Sequence, residues 1–296
     1  MSASRSTECG RNVTAALPVL PSGTTELFVI LGDPIAQVQA PIIFNDIFRR
    51  ARRDSVMVAL RVSAANLAGA FAGLKHVENL AGISLAIPHK VPMLTLCDDA
   101  SEMATIVGAT NAVRRNADGR WFADMFDGRG FVGGLEAAGH MIEGRNALLV
   151  GAGGGGSAIA AALLDRGIGH LRIADVDQVR VGALVARLNE RWPGHASVAA
   201  PDPAGADLVI NASPMGLSPT DPLPLEPARI APGTLVADII MKPPETPLLR
   251  AAAQRGLPTH RGIRMLRHQI RLYAEFFGFA EALDAIGWSE DELFPG

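Results

Sequence analysis

The chain has 296 residues, 48% hydrophobic and 19% charged, with a formal net charge of −3. That length suits two modest domains, and that composition builds real cores and excludes a disordered chain. Near-neutral charge with scattered basic residues gives no footing for nucleic acid.

Residues 1–25 read as a loose polar tail with prolines, lacking the apolar stretch of a signal peptide. Residues 27–31 predict a first strand. Residues 41–53 carry Ile42, Ile43, Ile47 and Phe48 at helical spacing, and Pro41 suits a first helical turn. Residues 56–62 predict a second strand, 65–74 a second helix, and 83–87 a third strand stopped by Pro88. Strand–helix–strand order argues a parallel or mixed α/β sheet. Residues 109–115 and 120–125 predict two short strands around the turn Asn116-Ala117-Asp118-Gly119. Beyond them, 147–150 is a strand, 151–156 a loop and 157–166 an alanine-rich helix. Residues 171–174 and 179–191 repeat the strand–helix unit, and 207–211 and 235–239 add strands. The proline-rich stretch 213–232 is expected to loop over a sheet edge. Residues 265–277 are the last strong helical pattern, expected to return to the first domain. The first domain boundary is expected near Phe131 and a second crossing near Gly262.

Cys9 and Cys97 are the two cysteines, far apart and without metal-ligand spacing. A disulfide framework is not expected, and a reducing cytoplasm fits. The seven histidines are dispersed, so no metal site is expected. No run reaches the length of a membrane span.

The segment Gly151-Ala152-Gly153-Gly154-Gly155-Gly156 satisfies G-x-G-x-x-G between a predicted strand and a predicted helix, the context this motif requires. Gly151 permits the tight turn, Gly153 lets the backbone approach a pyrophosphate, and Gly154 and Gly156 complete the cradle. The helix N-terminus then points free N–H groups at the phosphates. Asp175, ending the next strand, stands where a carboxylate accepts from an adenosine ribose and repels a 2′-phosphate. This favours NAD, with NADP possible. Asp175 equally reads as a turn residue capping the following helix.

Upstream lie Lys90, ending Ile87-Pro88-His89-Lys90, and Asp127, followed by Gly128. An ammonium and a carboxylate ahead of a dinucleotide fold suit hydride transfer at a hydroxyl. The lysine stabilises charge on the reacting oxygen, and the carboxylate shares its proton.

Here the sequence resembles the shikimate dehydrogenase family. The matching stretches are Gly32-Asp33-Pro34-Ile35-Ala36, Pro88-His89-Lys90, Gly108-Ala109-Thr110-Asn111, Asp127-Gly128, the glycine loop, the run from Asp207 to Gly216, Thr246-Pro247-Leu248-Leu249, and Met265-Leu266 with Gln269. They follow family order and cover almost the whole chain after the tail. The resemblance implies a substrate-binding α/β domain (26–130), a Rossmann dinucleotide domain (131–261) and C-terminal helices returning to the first domain (262–296). It implies Lys90 and Asp127 as the catalytic pair and Asn111 and Gln269 as substrate contacts. It places Asn211, Ser213, Pro214, Met215, Gly262 and Met265 beside the nicotinamide. The implied enzyme moves hydride between NAD(P) and a shikimate- or quinate-like ring, as in aromatic amino acid biosynthesis. Its partner is a small cyclic hydroxy compound, with no nucleic acid or membrane, and the chain is a monomer or homodimer.

Departures cluster around the substrate. The family's Ser-x-Ser, which holds the substrate carboxylate, reads Val38 and Ala40, flanked by Gln37 and Gln39. Its Asn-Val-Thr reads Ser84-Leu85-Ala86, its Asn-Thr before the catalytic aspartate reads Met125-Phe126, and a late tyrosine reads Met241. Arg264 replaces a glycine. Losing two donors to a carboxylate costs about 3–6 kcal/mol, or on the order of a hundredfold to ten-thousandfold in affinity. Gln37, Gln39, His89 and Arg264 are candidate replacements. The pocket, with Val38, Ala40, Ala86, Phe126 and Met241, is expected to be more apolar and the substrate altered. The alternative is a non-catalytic descendant that binds a metabolite or dinucleotide as a sensor or partner.

Overall fold

A computed structural model of the chain describes residues 20–218 and 220–288. Its first half runs β1 (Glu26–Gly32), α1 (Ala40–Arg50), β2 (Ser55–Arg61), α2 (Leu67–Leu74), β3 (Leu80–Leu85), α3 (Lys90–Leu94), β4 (Asp99–Ala100), α4 (Glu102–Val107), β5 (Ala112–Arg115), β6 (Trp121–Asp124) and α5 (Asp127–Ala137). The second half runs β7 (Asn146–Val150), α6 (Gly154–Asp165), β8 (His170–Ala174), α7 (Gln178–Arg191), β9 (Ala196–Val198), β10 (Leu208–Asn211), β11 (Leu235–Asp238), α8 (Pro247–Gln254) and β12 (Thr259–Arg261). Three short helices end the described residues: α9 (Ile263–Arg267), α10 (Ile270–Phe277) and α11 (Ala280–Ala285). Among the described residues, no helix is long and apolar enough to cross a membrane.

The strands form two six-stranded sheets. The first has the order β2-β1-β3-β5-β6-β4 and is mixed, with β1 parallel to β2 and β3, and β5 antiparallel to β3 and β6. The second has the order β12-β11-β10-β7-β8-β9, parallel throughout. This is the doubly wound Rossmann arrangement, whose strand order reverses between β7 and β10. Burial of all of β10 and β11 accords with a parallel sheet covered on both faces.

An aromatic core built on Phe28, Phe44, Phe48, Tyr273, Phe277 and Phe279 joins the last helices to the first sheet. Another core runs from one half into the other: Val107, Phe131 and Leu135 share it with Leu149, Ile159 and Leu163. Helices α5 and α6 meet backbone to backbone. A Cβ on Gly128 would lie 2.0 Å from the Ala158 carbonyl oxygen, so only glycine fits. Position 131 falls inside α5 rather than in a connecting loop.

Several boundaries differ from the sequence reading. The 265–277 pattern is two helices, because the Gln269 N–H bonds Leu266 three residues back and tightens the turn. Helix α6 starts at Gly154, since the Gly153 cap and tertiary packing override weak glycine propensity. Helix α1 stops at Arg50 because Arg52 turns left-handed, φ 53°. Most of the expected tail, with Cys9, lies outside the described residues, but its end is pinned: Thr24 and Thr25 each donate to Asp54 at 2.6 Å.

Candidate active site

Strand β3 and the turn after it deliver Lys90 to the first residue of α3, while Asp127 opens α5. An acidic side chain in a first helical turn is favoured by the helix dipole. Lys90 Nζ donates to Asp127 Oδ2. Asn111 Nδ2 donates to the other oxygen, Oδ1, at 2.8 Å and to Gln269 Oε1 at 3.2 Å. Asn111 Oδ1 accepts from the Phe126 N–H at 2.9 Å. Asp127, Asn111 and Gln269 are buried, and Lys90 is half-buried. The expected pair and both expected amides therefore form one hydrogen-bonded group.

Sequence reasoning missed Tyr273, one helical turn after Gln269. Its Oη donates to the Asn111 carbonyl at 3.2 Å, and Ser84 Oγ donates to it at 3.3 Å. Burial pushes the Tyr273 phenol up, and Asp127 adds to the shift, so it stays a neutral donor. The i, i+4 spacing from Gln269 was the available signal.

The glycine loop lies against this group. Gly151 has φ 108°, a Cβ on Gly156 would meet the Gly151 carbonyl oxygen at 1.9 Å, and Gly153 faces open space. A Cβ on Gly154 would lie 3.1 Å from Lys90 Cβ, and one on Gly155 3.8 Å from Asp127 Oδ2. This is a cradle that side chains would fill, at the N-terminus of a twelve-residue helix. The residues present fit a dinucleotide pyrophosphate.

Across the strand-order reversal, residues 211–216 are knotted together. Asn211 Nδ2 donates to the Met215 carbonyl and to Asp238 Oδ2, both at 3.0 Å, and Asn211 Oδ1 accepts from Ser213 Oγ at 2.6 Å. Pro214 lies within this turn. Asp238, also missed, further accepts from Thr246 and the Ile240 N–H. Burial pushes its carboxyl up. A Cβ on Gly262 would lie 2.4 Å from the Ile239 carbonyl carbon, and one on Gly130 would lie 2.5 Å from the Met265 carbonyl oxygen. Asp175 is turned inward: Oδ2 accepts from the Ala152 N–H at 2.6 Å and Oδ1 from the Asp177 N–H at 2.8 Å. The capping role falls to Asp177, which accepts from the Arg180 N–H at 3.0 Å.

On the substrate side, Gln37 Nε2 is bonded to the Pro34 carbonyl at 2.8 Å and Gln39 Nε2 to the Gln37 carbonyl at 3.0 Å. His89, offered as a replacement donor, sits at the N-cap of α3 without a side-chain cap bond and is fully buried, with Nε2 2.7 Å from the Val62 carbonyl oxygen. Arg264 packs on Gly134, two turns along α5 from Asp127. Ile35, Val38, Ala86 and Met241 are half-buried against the aromatic core. Phe126, expected to line the pocket, is instead buried edge-on against Tyr273 and Phe276, and Ala40 is buried at the start of α1.

Residues 30–113 match the model of the shikimate dehydrogenase substrate binding domain. The NADP(+)-dependent shikimate dehydrogenase of Symbiobacterium thermophilum is 36% identical over 83% of this chain and 87% of its own. A crystal structure of shikimate 5-dehydrogenase from Listeria monocytogenes, in complex with shikimate and NAD, superposes with TM-score 0.79 at 26% identity, over 93% of this chain and 98% of that one. The ligand-free 5-ketofructose reductase of a Gluconobacter strain gives TM-score 0.76 at 29% identity, over 88% of this chain and 99% of that one.

Proposed function

This chain belongs to the shikimate dehydrogenase family and is a nicotinamide-dinucleotide-dependent dehydrogenase of CH–OH groups; from that premise we propose that Lys90 and Asp127 are its acid/base pair. The reaction is oxidation of a secondary hydroxyl on a cyclic hydroxy compound, or the reverse. When bound, the dinucleotide takes up or supplies the hydride. Lys90 Nζ donates to the reacting oxygen and stabilises the charge that builds there. Asp127 Oδ2 accepts the hydroxyl proton as the carbonyl forms, and returns it in reduction. Asn111 and Gln269 orient the carboxylate and contact the ring. In this reading residues 26–130 hold the substrate and residues 131–261 the dinucleotide.

The observation that carries this reading is contiguity: the Lys90–Asp127 ion pair lies directly against Gly154 and Gly155 of the phosphate-binding turn. Lys90→Ala tests it. Turnover is expected to fall by about a hundredfold to ten-thousandfold while NAD still quenches tryptophan fluorescence. Equal loss of cofactor binding would point to a structural lysine, and unchanged turnover would end the assignment.

NAD is the proposed form of the cofactor. Strand β8 leads into two carboxylates, Asp175 and Asp177, and Arg180 is ion-paired to both. A 2′-phosphate there would meet negative charge. The Symbiobacterium relative is named for NADP(+). A kcat/KM for NAD no better than for NADP would reverse this choice.

A further inference from the structure

Asn211 ends β10 and Asp238 ends β11, and the two are register partners beside the strand-order reversal. Both are fully buried. The Asn211 amide is used up internally. The Ser213 N–H needs an oxygen, which fixes Asn211 Oδ1 toward it at 3.1 Å, and Ser213 Oγ adds a second bond at 2.6 Å. The two Nδ2 protons then go to the Met215 carbonyl and to Asp238 Oδ2. Two donors on the oxygen and two acceptors on the nitrogen fill the capacity of an amide. Asn211, expected beside the nicotinamide, therefore presents no free polar group to a ligand.

Asp238 is served by donors alone. Thr246 Oγ1 already accepts from the Leu249 N–H, so its proton faces Asp238 Oδ2 at 2.8 Å. The Ile240 N–H donates to Oδ1 at 3.0 Å. Three donors suit the ionised carboxylate. These bonds hold two segments that wall the glycine loop. Backbone atoms of Ala212 and Ser213 lie 2.6–2.7 Å from a Cβ placed on Gly151, and Ile239 Cδ1 lies 3.3 Å from one on Gly155. That same Gly155 position is 3.8 Å from Asp127 Oδ2. A dinucleotide that crosses the reversal with its adenosine toward β8 must rest its other half over the ends of β10 and β11.

We propose that Asp238 is a positioning residue for the nicotinamide half of the dinucleotide, acting through Asn211 on the turn 211–216 and through the Ile240 N–H on Ile239. This rests on the dehydrogenase reading above and deepens it. Asp238 exchanges no proton with the substrate. It sets where the turn and Ile239 stand relative to the glycine loop, and so where the ring comes to rest beside Asp127.

The test is calorimetric titration of the full-length protein with NAD and with ADP-ribose, which keeps the adenosine and pyrophosphate but lacks the nicotinamide. Wild type is expected to bind NAD about tenfold or more tighter than ADP-ribose. Asp238→Asn sets an amide N–H₂ against the same three donors. It is expected to lose most of that difference while holding ADP-ribose within about threefold of wild type. Asn211→Ala leaves Asp238 in place and cuts its reach to the turn, and the same split is expected there. Equal losses for both ligands would mean that the whole glycine loop has shifted, which is a merely structural role, and would overturn the proposal. So would NAD binding at wild-type strength in either variant, or a wild type that binds the two ligands equally. If Asp238→Asn fails to fold, Asn211→Ala alone decides between these outcomes. A wild type that binds neither ligand would instead end the dinucleotide reading, and the proposal with it. A split missing from the variants of a wild type that binds both ends the proposal and leaves the dinucleotide reading standing.

Discussion

Asn111 and Lys90 hold the Asp127 carboxylate from its two oxygens: Nδ2 of Asn111 reaches Oδ1 at 2.8 Å, and the Lys90 ammonium takes Oδ2. Asn111→Leu removes the first of these and leaves Asp127 Oδ1, Gln269 Oε1 and the Phe126 N–H without their partner. Unfolding free energy is expected to drop by about 1–3 kcal/mol in urea melts. Turnover should fall more than KM rises. A variant as stable and active as wild type would show that the amide does not orient the carboxylate.

Tyr273→Phe keeps the ring packing and removes one hydroxyl. It frees the Asn111 carbonyl and the Ser84 hydroxyl to find other partners, so a loss of about 0.5–1.5 kcal/mol is expected in the same melts. The pH profile of kcat is expected to keep its shape, because the phenol positions Asn111 and does not itself exchange the proton. A displaced profile would make Tyr273 part of the proton path.

Gly128→Ala places a methyl 2.0 Å from the Ala158 carbonyl oxygen, where backbone must move. A lower Tm, corresponding to about 1–3 kcal/mol, is expected, together with weaker cofactor binding because α6 carries the glycine loop. Gly69→Ala, inside α2 with open space around it, is the control and should melt slightly above wild type.

His260 is buried beside Phe131, His140 and Arg264. Burial, then the charges of Arg264, His140 and His268, lower its pKa from 6.5 to about 3. Unfolded chain therefore takes up this proton at higher pH than folded chain does. Stability should be full above pH 6.5 and decline as pH falls toward 3, by at most about 1.4 kcal/mol per unit from this group. His260→Phe is expected to flatten that decline in melts run from neutral to acid pH. An unchanged slope would clear this residue of the effect.

Cys97 is half-buried, with its Sγ 3.3 Å from the Met93 carbonyl, and burial pushes the thiol up to about 12. The native protein is expected to leave it unalkylated by iodoacetamide at about pH 8, where only thiolate reacts. Rapid labelling of the Cys97 peptide in mass spectra would contradict that.

The parallel strands were legible because fully buried runs such as Leu148–Leu149 and Val209–Ile210 leave little ambiguity, and the glycine loop was legible because its flanks confirmed it. Elements too short to show a period were not. Helix α4 has six residues and shows itself by Ser101, whose side chain accepts from the Ala104 N–H, and by left-handed Gly108 at its other end. Helix α5 was hidden by its glycines, which α6, α9 and Gln269 require for close approach. At the site, residue chemistry pointed to Lys90 and Asp127 and the family resemblance to Asn111 and Gln269, but no local pattern could show which way a side chain turns. Asp175 turned into the loop, Phe126 into the core, and both glutamines onto their own backbone.

The close fit of α5 on α6 has one mechanical result. The Asp127 carboxylate at the head of α5 is tied on one side to the helix that carries the glycine loop and on the other to Asn111 and Lys90. Loosening that seam therefore disturbs the acid/base pair and the phosphate cradle together.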